Sequence, residues 1–126
     1  MSRYRLQRAD EDLASAKRNL KDADFRTAIN RSYYAIFHAL RSVLALDEFD
    51  SKKHSGIISE FRKRYVKTGL FDVSISDMIG DAFKIRNESD YSDMYIVSKE
   101  ETYRQVENAD IVISAIRDYL KSEGIE

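Results

Sequence analysis

The chain has 126 residues, with 21 lysines and arginines against 22 aspartates and glutamates, four glycines, and neither proline nor cysteine. This length fits one domain that spans residues 1–126, and the lack of cysteine excludes disulfides and zinc sites built from thiolates. The near-zero net charge gives no general sign of nucleic-acid binding, and so few glycines and prolines do not suit the many turns of an all-β protein.

The first half of the chain contains three predicted helices. The first runs from about Tyr4 to Leu20, with apolar residues at three- and four-residue steps. The second begins at Phe25, after Asp24 as a predicted N-cap, and runs to about Leu46. The third runs from about Lys53 to Val66. Thr68 and Gly69 mark its end, because glycine is the usual residue after a helix C-terminus.

The second half contains two more predicted helices. One covers Ser76 to Ser89, an irregular stretch from Tyr91 to Val97 follows, and Ser98 and Glu101 form a capping box that opens the last helix. Helices joined by about three residues should be antiparallel neighbours. We therefore predict an all-α protein: an up-down helical bundle of four main helices plus a short extra helix.

Arg86 is the first candidate for a functional residue, because it lies within the apolar stripe of the fourth predicted helix. The apolar members of that stripe are Ile75, Met78, Ile79, Ala82, Phe83 and Ile85. A buried guanidinium needs a carboxylate or an anionic ligand, and Asp90 lies within reach four residues on, followed by Tyr91. Arg86, Asp90 and Tyr91 are our candidate phosphate-binding or catalytic group. The alternative is an Arg86–Asp90 ion pair that only fixes packing.

A second stripe runs along the second helix beside its core face. It consists of Thr27, Arg31, Tyr34, His38 and Arg41. We predict that Arg31, Tyr34 and His38 line a nucleotide- or RNA-binding groove or a self-association surface, where tyrosine and arginine are enriched. The alternative is a partly exposed side of the bundle, with tyrosine hydroxyls that reach water.

The second histidine, His54, lies near the start of the third helix beside Lys52 and Lys53. A neutral, hydrogen-bonded imidazole is the ordinary expectation there, and contact with a phosphate is the alternative. Neither histidine follows a glutamate by three residues, as in di-iron bundles, so we predict no metal site and no cofactor. No apolar run could span a membrane and no signal-peptide pattern is present, so we expect a cytoplasmic protein without a membrane partner.

Charge is divided between two neighbouring segments. Residues 51–70 contain six lysines and arginines and one acid, whereas residues 72–94 contain six acids and two basic residues. This division could guide a polyanion or an acidic partner to one surface, or it is an ordinary solvated helix face.

Four segments together resemble the HEPN (higher eukaryotes and prokaryotes nucleotide-binding) domains of prokaryotes. They are residues 30–39 (NRSYYAIFHA), 53–56 (KHSG) and 65–70 (YVKTGL), and the Arg86-x-x-x-Asp90-Tyr91 sequence. The resemblance implies an up-down bundle of four to five helices that forms a homodimer. It also implies a partner protein, a minimal nucleotidyltransferase, in a two-gene toxin–antitoxin or defence system.

In the ribonuclease branch of that family, an arginine is followed after four to six residues by a histidine, and two such motifs cleave RNA without metal. Arg86 matches the arginine, but the three histidine positions hold Tyr91, Ser92 and Asp93. Histidine exchanges protons near neutral pH far better than tyrosine, so the sequence leaves enzymatic activity open. The resemblance also implies an AMP acceptor tyrosine, for which Tyr91 or Tyr95 is the candidate.

Three hypotheses follow from these features. The leading one is a HEPN subunit that binds a nucleotide or RNA phosphate through Arg86 in a dimer groove and partners a nucleotidyltransferase. The second is a metal-independent endoribonuclease toxin. The third is a purely structural helical partner.

Overall fold

The computed structural model describes residues 1–91 and 96–125, without the side chains of Asp90 and Tyr91. Its α-helices are α1 (Ser2–Lys21), α2 (Phe25–Leu44), α3 (His54–Phe61), α4 (Val73–Tyr91) and α5 (Lys99–Ser122). The described residues contain no strand. Four long helices and the eight-residue α3 confirm the predicted all-α bundle. No helix in this part of the chain combines the length and the apolar character that a membrane crossing requires.

Helix α2 is the centre of the bundle, because it packs against each of the other four helices. Its predicted start is confirmed: the Asp24 carboxylate accepts a hydrogen bond of 3.4 Å from the backbone N–H of Thr27. The predicted core face of α2 is also confirmed. Its buried members are Ile29, Tyr33, Ile36, Phe37, Leu40, Val43 and Leu44. The helix ends at Leu44, two residues earlier than predicted, and a 3-10 turn (Ala45–Asp47) follows.

The third predicted helix is divided in two. Helix α3 ends at Phe61, and a π turn (Arg62–Val66) continues it, closed by a 2.9 Å hydrogen bond from Lys67 N–H to the carbonyl of Arg62. The buried rings of Phe61 and Tyr65 stack with centroids 5.5 Å apart across this junction, and Phe71 packs against both. Gly69 follows with a φ of +84°, as predicted for the end of this segment.

The two C-terminal helices begin close to where the sequence placed them. Helix α4 starts three residues earlier than predicted, at Val73, and Ile75, Ile79 and Ala82 of its stripe are buried. Before α5, the Ser98 hydroxyl accepts a 3.0 Å hydrogen bond from the backbone of Glu101. The predicted stripe of α5 is buried throughout. It consists of Thr102, Val106, Ala109, Ile113, Ile116 and Leu120.

Candidate phosphate-binding site

The Arg86 guanidinium, on α4, lies against two tyrosine rings of α2. Its Cζ is 5.2 Å from the ring centroid of Tyr33 and 5.6 Å from that of Tyr34. Its Nη2 donates a 3.3 Å hydrogen bond to the Tyr34 hydroxyl, and its Nη1 donates a 3.5 Å hydrogen bond to Asn87. Arg86 is half-buried. The aromatic faces stabilise the cation through their negative quadrupoles, so the charge is held at the α2–α4 contact and not in bulk water.

The two tyrosines differ in burial because consecutive residues of a helix point about 100° apart. Tyr33 faces the core with 2 % of its surface exposed, while Tyr34 is half-buried at the edge of the same contact. Their rings meet edge to face with centroids 5.3 Å apart. Burial raises the pKa of Tyr33 to about 12, although the positive charge of Arg86 opposes this rise. The Tyr33 hydroxyl therefore keeps its proton at neutral pH.

His54, the first residue of α3, joins the same pair of tyrosines. Its Nδ1 lies 2.8 Å from the Tyr33 hydroxyl in a hydrogen bond whose donor depends on the tautomer, and its ring packs 4.1 Å from the Phe37 ring. Burial, and then the positive charges of Arg86 and Arg41, lower the pKa of His54. The predicted hydrogen bond of the imidazole is present, and the lowered pKa favours its neutral form. We call Tyr33, Tyr34, His54 and Arg86 the Arg86 cluster.

The sequence predicted neither the contacts of Arg86 with Tyr33 and Tyr34 nor those of His54 with the same two rings. The sequence placed Tyr33 in the core, which is correct, but the partner of its hydroxyl comes from α3. A buried tyrosine hydroxyl needs a hydrogen bond, and that was the signal available in the sequence. No periodicity within one helix could show that His54 and Arg86 would contact the same two rings, because the two residues lie on different helices.

Arg31 and His38, predicted to line a binding groove, both lie beside Asp12 of α1. Arg31 donates a 3.0 Å hydrogen bond to one oxygen of Asp12, and His38 Nε2 lies 3.7 Å from the other. Burial lowers the pKa of His38, although the Asp12 carboxylate opposes this and nearby arginines add to it. Both residues lie beside Tyr34: the Arg31 Cζ is 5.2 Å and the His38 ring 6.3 Å from the Tyr34 ring centroid. Their predicted role in ligand binding stays a prediction.

Arg41, at the far end of the predicted stripe, pairs with Asp50. Its Nε and Nη2 donate hydrogen bonds of 3.1 and 2.9 Å to the two carboxylate oxygens, and Arg5 of α1 reaches the same carboxylate at 3.2 Å. The hydrogen bonds from Arg41 hold the pKa of Asp50 at about 2. Within the stripe, Arg31 thus pairs with Asp12, Arg41 pairs with Asp50, and Tyr34 contacts Arg86.

Three further predicted site residues lie outside what the structure describes. Helix α4 continues to Tyr91, but the side chains of Asp90 and Tyr91 are outside the described part, as is Tyr95. The proposed Arg86–Asp90 pair and the two candidate acceptor tyrosines therefore stay predictions.

Comparison with known proteins points to the same family as the sequence motifs. The family model for the HEPN domain matches residues 2–119. A Methanocaldococcus jannaschii protein named "Putative toxin MJ0142" is 31% identical over 121 residues, which cover 95% of this chain and 82% of that protein. A UPF0332 protein of Thermotoga maritima is 29% identical over 118 residues, or 94% of this chain and 89% of the relative. The match to the family model covers nearly the whole bundle, and the chain belongs to the HEPN family.

Proposed function

We propose that this protein is the HEPN subunit of a toxin–antitoxin pair and that it binds a nucleotide or RNA phosphate through Arg86. The observation that carries the proposal is a half-buried guanidinium held over two tyrosine rings from another helix. Family membership and a relative named as a toxin support the wider role.

The geometry of Arg86 suits an anionic ligand. Its hydrogen bonds to Tyr34 and Asn87 measure 3.3 and 3.5 Å, which is long for a guanidinium. Bonds from a guanidinium to a phosphate are shorter, about 2.7–2.9 Å, and roughly twice as strong as bonds between neutral groups. The tyrosine rings would keep the planar fork oriented for bidentate contact.

Two partners belong to this proposal. We expect a homodimer in which the Arg86 cluster faces a groove between the two copies, and a minimal nucleotidyltransferase encoded beside this chain. That enzyme would transfer AMP to a tyrosine of this chain, with Tyr91 or Tyr95 as the acceptor. Light scattering tests the dimer. Mass spectrometry after incubation of the purified pair with ATP tests the acceptor, and a chain without an added AMP group would reject that part.

A binding titration tests the central claim. Calorimetry with AMP, ATP and short RNAs would compare the wild type with Arg86→Gln and with the control Arg104→Gln. Arg104 is an exposed arginine of α5 that pairs with Glu101. Because charge-assisted hydrogen bonds contribute about 1.5–3 kcal/mol each, Arg86→Gln should weaken binding at least tenfold. The control should bind as the wild type does. A wild type that binds none of the probes, or an Arg86→Gln variant that binds equally well, rejects the proposal.

The position of His54 favours one alternative, a metal-independent endoribonuclease. The family motif lacks its histidine, but the structure brings an imidazole with a lowered pKa to the tyrosines that hold Arg86. In this reaction the neutral imidazole accepts the proton of a ribose 2′-hydroxyl, and the 2′-oxygen attacks phosphorus. The bond to the 5′-oxygen then breaks, and that oxygen takes a proton from the imidazolium or from water. Arg86 would stabilise the charge on the phosphate.

Substitution of His54 tests this alternative. RNA cleavage in the presence of EDTA should be lost in His54→Asn and kept in the exposed control Arg104→Gln, whose side chain pairs with Glu101 on α5. Growth arrest on expression, relieved by the same substitution of His54, would agree. Intact RNA at high protein concentration, or equal loss in both variants, rejects the ribonuclease.

A further inference from the structure

A cleft of about 440 Å³ opens beside the Arg86 cluster, between α3 with its π turn and α4. Two of its lining residues connect it to the cluster. Ser55 follows His54 directly on α3, and Phe83 of α4 lies with its ring centroid 6.1 Å from that of Tyr33. A ligand with a phosphate at Arg86 could therefore extend into the cleft.

Positive charge collects in this cleft. Arg62, Lys63 and Lys67 line it, and no acidic residue whose side chain the structure describes does. Among the residues that the structure describes, none of these three cations forms an ion pair, whereas Arg64 of the same turn pairs with Glu60 at 2.8 Å. In this segment Arg64 thus pairs with carboxylates, whereas the other three cations lie at the cleft.

Arg62 is fixed in the wall of the cleft. Its Nε donates a 2.9 Å hydrogen bond to the Ser76 hydroxyl, and its Nη2 donates a 3.2 Å hydrogen bond to the Ser76 carbonyl. Gly80, one turn further along α4, makes room for it, since a Cβ there would lie 3.0 Å from Nη2. A half-buried arginine held in this way is an ordered part of the cleft, unlike a lysine on a solvated surface.

An apolar wall faces these cations. Ile58, which is 7% exposed, and the half-buried Phe83 both line the cleft. An aromatic ring and several cations in one cleft are the combination with which proteins bind single-stranded nucleic acid, because bases stack on the ring while cations follow the phosphates. An acidic protein segment would satisfy the cations but would not need the aromatic wall.

We propose that this cleft binds the nucleotide adjacent to the phosphate at Arg86 in a single-stranded RNA. Lys63 and Lys67 contact the flanking phosphate groups, Arg62 orients them, and the base lies against Phe83. This inference rests on the proposed function, because it takes a phosphate at Arg86 as its starting point. It adds that the ligand is an RNA of at least two nucleotides and not a mononucleotide.

Two probes separate the cleft from the Arg86 cluster. One is AMP, and the other is a 2′-O-methyl RNA hexamer, which cannot be cleaved through its 2′ position. Lys63→Gln/Lys67→Gln changes the cleft. The matched control is Lys21→Gln/Lys121→Gln, which changes two exposed lysines at the C-terminal ends of α1 and α5 that do not line the cleft. Circular dichroism confirms that each variant is folded.

We expect the wild type to bind the hexamer more tightly than AMP. The cleft variant should lose at least tenfold in affinity for the hexamer and stay within twofold for AMP, while the control variant stays unchanged for both. Each lost phosphate contact lowers the slope of log K against log salt by about 0.7 for a single strand, so the cleft variant should lose about 1.4.

Other outcomes overturn the inference in distinguishable ways. Equal hexamer affinity and salt slope in the wild type and the cleft variant would reject the cleft while the role of Arg86 stands. A cleft variant that loses binding to a hexaglutamate peptide but not to RNA would assign the cleft to an acidic protein segment. A wild type that binds neither AMP nor the hexamer would reject the proposed function, and this inference with it.

Discussion

Replacing Gly80 with alanine should stabilise the bundle and at the same time disturb the cleft. Gly80 lies inside α4, where alanine is favoured over glycine by about 1 kcal/mol. Against this gain, the new Cβ would approach Arg62 Nη2 to 3.0 Å, so the guanidinium must move by a few tenths of an ångström. The hydrogen bonds to Ser76 that this movement strains contribute roughly 1 kcal/mol each when intact.

The end of an arginine side chain can move, so we expect Gly80→Ala to keep most of that hydrogen bonding. The free energy of unfolding should then rise by about 0.5 kcal/mol, or roughly 2 °C in Tm for a chain of this length. Affinity for the RNA hexamer should fall, because Arg62 no longer lies where it orients the phosphates. Urea unfolding followed by circular dichroism measures the first effect, and fluorescence anisotropy the second.

A double-mutant cycle with Arg62→Ala isolates the contact. Without the guanidinium, Gly80→Ala should give the full gain of about 1 kcal/mol, and the difference between the two backgrounds is the coupling between Gly80 and Arg62. If Gly80→Ala destabilises by more than 1 kcal/mol in both backgrounds, the glycine is needed for a reason other than Arg62, and the reasoning is wrong.

Three further predictions concern the rest of the bundle. Arg86→Met should change the free energy of unfolding by about 1 kcal/mol or less, because contacts between the thioether and the tyrosine rings replace part of the cation–π energy. The same variant should lose roughly 100-fold in phosphate affinity, and retained binding would favour the purely structural hypothesis. The lowered pKa values of His38 and His54 mean that, below the ordinary value of 6.5, the unfolded chain binds protons that the folded chain does not. As the pH is lowered from about 7 to about 5, the free energy of unfolding should therefore decrease, and it should decrease less in the His38→Asn/His54→Asn variant. An equal pH dependence of the two proteins in urea unfolding would contradict this. Ser98→Ala should cost about 1 kcal/mol and Ser98→Asp much less, because aspartate keeps the cap; equal thermal midpoints would count against the capping role.

The long helices could be predicted because their signals lie within single segments. The apolar stripes of α2 and α5 repeat at the helical period, and Asp24 and Ser98 cap helices through residues three positions away. The π turn could not be predicted in this way. Its residues carry the same periodicity as an α-helix, and what distinguishes it is the packing of Phe61, Tyr65 and Phe71, which come together only in the fold.

The same distinction holds for the candidate site: features within one helix could be predicted, and contacts between helices could not. A cation in an apolar stripe predicted a half-buried Arg86, because that inference needs one helix only. The partners of Arg86 come from α2, and His54 reaches the same rings from α3, so neither follows from spacing. The carboxylate that pairs with Arg31 and lies beside His38 is Asp12 of α1, which no pattern on α2 could show.

The candidate site depends on whether the short helix α3 is folded, because His54 belongs to it. Even with its π turn, α3 belongs to a helical segment of only 13 residues, which is marginal for an isolated helix, and Ile57, Ile58 and Phe61 anchor it in the core. His54 is the first residue of this helix, and first turns fray. Unravelling of that turn would withdraw the imidazole while the four long helices stay folded. A ligand that contacts His54 would therefore slow amide hydrogen exchange in α3 more than in the other helices. The site is complete only while the first turn of α3 is folded.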